Sequence, residues 1–247
     1  MTSSNSYLYK LSKKNIFFKK LFIYYNVYIR NLKYFFKSSQ FQEDDYIINY
    51  FKKGYKGNFV DLGCFHPTRH NNTFKLYKKG WRGINIDLNK LTIDLFNTVR
   101  PGDINICTAL SNKKSTANLY YLGDFSVHNT IYKNNLNLLN DHFSINKKDI
   151  KTKKTKTERL DSILTKYKFF KVDFMSIDIE GEEIKVLQSL NLKKFKIKYI
   201  CIEIFPHNNK KSIENNLKVI KHLKKNGYVL KDKTPINYIF KKKTKIK

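Results

Sequence analysis

From Phe41 onward, short apolar runs alternate with stretches in which apolar residues recur every three or four positions, the pattern of strands interleaved with helices. "QEDDYIINYFKK", from Gln42, places acids first and lysines last, which suits a helix and its dipole. "NFVDLG" reads as a short strand ending in a turn. Asn71 and Asn72 are placed to cap a helix through "TFKLYKKG", with Gly80 as its stop. "RGINIDL" is a second strand, "KLTIDLFNTVR" a helix before Pro101, "DINICTAL" a third strand and "TANLYYL" a further one. Residues 123–157 are polar and lack a clear period. They run through the lysine-rich "NKKDIKTKKTKTERL" and read as one long functional or mobile loop. "LDSILTKY" is a short helix, "DFMSIDIEG" a strand ending in an acidic turn, "EEIKVLQSL" a helix and "KYICIEIF" a strongly apolar strand. "SIENNLKVIKHLKKNG" is an amphipathic helix stopped by Gly227. "YVLKDK" and "INYIFKKK" are close enough to pair antiparallel. The alternation predicts one mostly parallel sheet covered on both faces, with an antiparallel terminal strand at its edge.

Residues 1–40 differ. "KKNIFFKKLFIYYNVYIRNLKYFFKSSQ", Lys13 to Gln40, interleaves lysine with Phe, Tyr, Ile and Leu and contains neither glycine nor proline. A basic, aromatic helical extension is expected over 1–40, followed by a domain over 41–247. Lys19, Lys20, Asn26 and Arg30 interrupt its apolar runs, so neither a membrane span nor a signal peptide is expected. Peripheral contact with an anionic membrane and packing on the domain or on a partner chain both fit the pattern.

Apolar residues make up 41% of the chain and aromatics 15%, enough for a sizeable core. The formal charge of +29 would attract nucleic acid, anionic lipid or acidic substrates. Lysine, asparagine and isoleucine are abundant and arginine is scarce, however, as in a chain from an A- and T-rich genome. Nucleic-acid surfaces usually keep arginine. Cys64, Cys107 and Cys201 are odd in number and widely spaced, with no CxxC pair. Buried free thiols and a reducing compartment are expected.

Four acids fall at or near strand ends: Asp61, Asp87, Asp178 and Glu203. In parallel sheets, ligands bind beyond those ends. An acid closing the second strand, here Asp87, typically accepts both hydroxyls of a ribose. Gly63 supplies a tight turn and close access to the backbone. It stands alone where a dinucleotide site carries three glycines, and His66 and Pro67 follow it, so a pyrophosphate, and with it a dinucleotide oxidoreductase, is disfavoured. An acidic rim without a phosphate cradle suits a cationic nucleoside, and S-adenosylmethionine has that chemistry.

The segments "FVDLGCFHP", "GWRGINIDLN", "TERLDSIL", "DFMSIDIEGEEIKVLQSL" and "KYICIEIF", in this order and spacing from Phe59 to Phe205, resemble the FkbM-type S-adenosylmethionine-dependent methyltransferases. The closing "GYVLKDKTPINYIF" resembles the family's last strands. The acidic turn Asp178-Ile179-Glu180-Gly181 is the most specific piece. Many members have asparagine where Phe65 stands and glycine where Pro67 stands. The resemblance implies a Rossmann-like class I methyltransferase sandwich. It implies Asp61 and Gly63 under the methionine portion of the cofactor, Asp87 on the ribose, and Ala109 and Leu110 beside the adenine. Asp178 and Glu180 would face the transferred methyl group or the acceptor. Asp178, Glu180, His66 and His70 are candidate bases. Glu180 equally suits a helix N-terminal acid that satisfies amides, a loop histidine is more often a surface or structural hydrogen-bonding residue, and Arg69 either holds an anionic acceptor or is simply solvated. Magnesium on Asp178 and Glu203 is conceivable in such a site, but no metal is expected.

The expected function is O-methylation of a small-molecule or glycan acceptor, with peripheral membrane contact through residues 1–40. The expected location is cytoplasmic, with the inner membrane surface as a second option. The alternative is a non-catalytic basic protein that binds RNA or a membrane surface. An RNA methyltransferase ranks lower, because "DIEG" follows the fourth strand in place of an NPPY-like turn for a flipped base.

Overall fold

The structure is a computed structural model. It describes residues 7–124, 126, 128–133, 147–204 and 210–243, so the middle of the expected long loop and Phe205 lie outside the described residues. Among the described residues there are ten strands: β1 (Asn58–Leu62), β2 (Arg82–Asp87), β3 (Ile104–Cys107), β4 (Ala109–Leu110), β5 (Ser115–Tyr121), β6 (Lys151–Glu158), β7 (Val172–Ile177), β8 (Ile197–Glu203), β9 (Tyr228–Lys233) and β10 (Asn237–Lys242). The α-helices are α1 (Tyr7–Ser12), α2 (Ile16–Tyr24), α3 (Glu43–Asn49), α4 (Phe74–Lys78), α5 (Lys90–Val99), α6 (Leu160–Lys166), α7 (Glu183–Ser189) and α8 (Lys210–Lys225).

Seven strands form the main sheet in the order β3-β2-β1-β7-β8-β10-β9, and β4-β6-β5 form a small second sheet. β3, β2, β1, β7 and β8 run parallel, while β10 pairs antiparallel with both β8 and β9. The antiparallel strand is therefore inserted one place in from the edge, and β9 is the edge. Burial explains this. Ile239 and Phe240 of β10, on opposite faces of the strand, are both fully buried, as in an interior strand. Val229 and Leu230 of β9 remain exposed. Val60, Leu62, Met175, Ile177 and Ile200 lie in the larger core, and Phe59, Phe174 and Trp81 in a second cluster.

The lysine-rich tract is not all loop. Lys151–Glu158 is strand β6, paired residue for residue with β5 from Ser115↔Thr157 to Tyr121↔Lys151. Of β6 only Thr157 is buried, so backbone pairing holds the strand, and no apolar alternation marks it. Cys107 is exposed, contrary to expectation, because β3 is an edge strand; Cys64 and Cys201 are buried, and all three are free.

The N-terminal segment is broken into α1, α2, a π-helical turn at Tyr25–Arg30 and a 3-10 turn at Leu32–Phe35. One face packs on the domain: Ile23 and Val27 meet Leu95 of α5. The segment also reaches the loop after β1, where Phe35 meets Phe74 edge-on and Asn71 N donates to Ser38 O at 2.9 Å. No helix among the described residues is long and apolar enough to cross a membrane.

Gly63 has φ +74°, and a methyl group there would overlap the carbonyl oxygen of Asp178. This glycine is required by the contact between the turns after β1 and β7, a reason the sequence did not suggest. Gly63→Ala is expected to destabilise the fold by about 3 kcal/mol or more, from positive φ and steric overlap together. Urea denaturation of the unliganded protein checks this.

Candidate active site

β2, β1, β7 and β8 are consecutive neighbours and all parallel, so their carboxyl ends share one rim. The rim carries Asp87, Asp61, Asp178 and Glu203, one from each strand or the residue after it. The structure thus brings together the four acids that the sequence placed at strand ends. Two backbone bonds set the turns: Gly63 N donates to Ile86 O at 2.9 Å, and Asp178 N to Leu62 O at 2.9 Å.

Asp87 is oriented from both sides. Phe65 N donates to its Oδ2 at 3.0 Å and Asn89 N to its Oδ1 at 2.7 Å. Burial nevertheless pushes its carboxyl up to about 6. The Asn89 side chain adds a further hydrogen bond to this carboxylate, and lone-pair capacity remains for a ligand hydroxyl. Phe65 holds φ +52°, a left-handed conformation that an asparagine adopts more readily. The phenylalanine at this position is compensated in part by Arg69, whose guanidinium stacks 5.1 Å from its ring.

Asp178 and Glu203 form a carboxyl pair. Crowding by protein, and then by Glu183 and Asp61, pushes Asp178 up to about 7, although its residue keeps exposed surface. That combination describes a group lining a cleft. Burial and the facing Asp178 raise Glu203 well above the ordinary carboxylate range, and a hydrogen bond joins the two. Each carboxyl therefore resists ionisation while the other carries charge. Glu180, half-buried with φ +58°, lies in the turn beside them and adds to the charge felt by Glu203.

Asp61 rests on a network that the sequence did not reveal. Asn71 Nδ2 and Thr73 Oγ1 both donate to Asp61 Oδ2, at 3.1 and 2.7 Å. Arg100 Nη1 donates to Asn71 Oδ1 at 3.1 Å and Thr73 Oγ1 at 3.0 Å, and its Nε donates to Asp103 Oδ2 at 2.9 Å. Arg100 is fully buried among the rings of Phe59, Tyr77 and Phe96. Asn71 thus serves Asp61 and the N–H of Thr73, and Thr73 is the N-cap residue before α4. No sequence pattern marked Arg100, since it reads as an ordinary polar helix end. Glu183 was likewise overlooked. It accepts from Ile179 N at 3.2 Å and Gly181 N at 3.0 Å and so braces the acidic turn from within.

His66 faces inward and is buried. Its Nδ1 accepts from Thr68 N and Arg69 N, which leaves Nε2 to donate to Asn26 Oδ1 at 3.0 Å. Burial and Arg69 push it down to about 3, so the ring is neutral with both nitrogens engaged. That is the arrangement of a structural histidine that fastens the N-terminal segment to the loop. His70 packs edge-on against Tyr34. Ala109 and Leu110 are buried in β4, and Leu110 belongs to the main core.

The described piece 128–133 crosses the rim. Asn129 Nδ2 donates to Asn89 Oδ1 at 2.8 Å and Gly123 O at 2.7 Å, and Thr130 Oγ1 donates to Glu180 O at 2.8 Å. The Tyr132 ring fills the place a side chain at Gly181 would need. Among the described residues, no group of three or more acids, histidines or cysteines could hold a metal ion.

A parallel sheet in this strand order, with one antiparallel strand inserted next to the edge and carboxylates along its rim, defines a Rossmann-like class I methyltransferase. The sequence of residues 54–230 matches the methyltransferase FkbM domain, and the chain belongs to that family of S-adenosylmethionine-dependent methyltransferases. This membership does not favour a non-catalytic basic protein. Among solved structures, the chain is similar to a TehB-like SAM-dependent methyltransferase from Corynebacterium glutamicum, at 11% identity over 88% of this chain and 97% of that chain, with a TM-score of 0.46. It is also similar to the N-terminal domain of human METTL16 in complex with SAH, at 12% identity over 80% of this chain and 65% of that one, with a TM-score of 0.39. No curated protein matches the chain.

Proposed function

We propose that the acidic rim holds S-adenosylmethionine and passes its methyl group to an oxygen of a small-molecule or glycan acceptor. The observation that carries this reading is the placement of Asp87, Asp61, Asp178 and Glu203 on one rim of the parallel strands, with the carboxyls of Asp178 and Glu203 side by side. Asp87 takes the two ribose hydroxyls. Asp61 and the turn at Gly63 lie under the methionine portion, and Ala109 and Leu110 flank the adenine. With the methyl donor bound, Asp178 would lie near its sulfonium charge, which would favour the ionised carboxylates and release of a proton from the pair to solvent. A hydroxyl oxygen of the acceptor then attacks the methyl carbon in line, and the carbon–sulfur bond breaks with its electron pair left on sulfur. The hydroxyl proton passes to the Asp178–Glu203 pair. Glu180 faces the acceptor side. We give His66 no proton-transfer role, because both its ring nitrogens are committed to the protein.

Calorimetry with S-adenosylhomocysteine, followed by labelled-methyl transfer into a cell extract, tests this. Stoichiometric binding and an ether-linked methyl product are expected. No heat and no thermal shift would remove the cofactor assignment, and label only on nitrogen or carbon would remove the O-methylation.

The pair also sets a pH dependence. Asp87 and Asp178 titrate at about 6 and about 7, above the ordinary value of 3.8. Their contribution to the stability of the unliganded fold is therefore present below about pH 4 and lost as pH rises through 6 to 7. The cationic sulfonium favours the ionised rim, so its binding has the opposite slope. Affinity for S-adenosylmethionine should rise with pH across that window, by up to about tenfold per unit per proton released. The ratio of its affinity to that of S-adenosylhomocysteine, which lacks the sulfonium charge, should rise with it. Calorimetry across the window in buffers of differing ionisation heat measures both.

A further inference from the structure

The outward face of the N-terminal segment has no role in the site. Of the fifteen large apolar side chains exposed among the described residues, nine lie between residues 7 and 36. Along α2, Phe17, Leu21 and Tyr24 stand at i, i+4 and i+7 and form one exposed stripe, while Phe22, Ile23 and Val27 are buried on the other side. Ile16, Ile29 and Phe36 extend the exposed surface, at 75%, 59% and 85% exposure. Residues 7–37 contain eight lysines and arginines and no acid, and Lys14, Lys20 and Lys33 are exposed among these apolar side chains, while Lys13 pairs with Asp124 at 3.2 Å.

We infer that this face docks on an anionic membrane surface. Apolar tips enter the boundary between headgroups and acyl chains, while the lysines meet lipid phosphates. Charge complementarity selects this occupant. A second copy of the chain would bring the same lysine-rich face onto itself, and the acids beside it, Asp94 and Asp124, are already paired with Lys19 and Lys13. Nucleic acid would take the lysines and stack on the aromatics, but it gives no burial to the aliphatic Ile16, Leu21 and Ile29. Contact is interfacial, since no described helix is long and apolar enough to cross the bilayer. The opposite face is tied to the domain through Ile23, Val27 and Asn26, which fixes the orientation of the docked enzyme.

Flotation of the full chain with vesicles tests the inference. Binding to phosphatidylcholine–phosphatidylglycerol vesicles is expected, with little to phosphatidylcholine alone and a loss at high salt. The variant Phe17→Ser/Leu21→Ser/Tyr24→Ser should bind the anionic vesicles about tenfold or more weakly. Its unchanged affinity for S-adenosylhomocysteine would show that the fold is intact. The inference is overturned if the wild-type chain fails to float, or if the triple variant floats equally well. It is also overturned if the chain is a dimer that the variant converts to monomer, or if single-stranded RNA displaces the vesicles and binds this face more tightly.

Discussion

Asp87→Ala is expected to weaken S-adenosylhomocysteine binding by about a hundredfold or more. Two charge-assisted hydrogen bonds to ribose hydroxyls are at stake, each about 1.5–3 kcal/mol. Asp87 also anchors Phe65 N and Asn89 N, so its removal loosens the loop as well as the ligand. A ligand lacking the 2′- or the 3′-hydroxyl separates the two effects, since the protein is then unaltered. Each deoxy analogue should bind the wild-type chain about tenfold more weakly and bind Asp87→Ala no worse than the parent ligand does. Equal losses in both proteins would place the ribose elsewhere.

The second large effect concerns stability. Arg100→Met should cost about 3–5 kcal/mol, because it strands the buried Asp103 carboxylate and removes the donor that orders Asn71 and Thr73 under Asp61. Denaturant unfolding measures the loss. Adding Asp103→Asn should recover part of it, since the stranded charge is then gone, while the positioning of Asp61 stays impaired. The double variant should therefore be more stable than Arg100→Met yet bind cofactor no better. Full recovery of binding would show that Arg100 serves the fold alone.

The placement of the candidate site's acids was legible because they stand at the ends of strong periodic segments. Asp87 and Glu203 end apolar strands, Asp178 follows one, and Asp61 lies one residue before the end of another. Once alternation implies a parallel sheet, these ends must fall on one side. Arg100, Asn71 and Thr73 were not legible in the same way. Their partners stand 27 to 29 residues apart for Arg100, and 10 to 12 apart for Asp61. Nothing in a local pattern says that a helix-end arginine turns inward. His66 shows the converse: from sequence a loop histidine just beyond the first strand reads either as a base or as a structural hydrogen-bonder, and only the converging amides of Thr68 and Arg69 and the distant Asn26 show that its nitrogens are occupied. β6 escaped notice because its partner strand holds it through backbone bonds, which leave no apolar period.

By itself, the amino-acid order determined the alternation of strands and helices, the acids at strand ends and the basic, aromatic character of the N-terminal segment. All of these follow from short-range steric and solvation preferences of neighbouring residues. Tertiary structure alone decided that β10 slips in beside β8, that Gly63 must yield to the Asp178 carbonyl, and that the carboxyls of Asp178 and Glu203 meet and raise one another. Those outcomes depend on which distant groups meet in a crowded, weakly solvated space. There, charge and volume are set by the whole packed chain rather than by its local order.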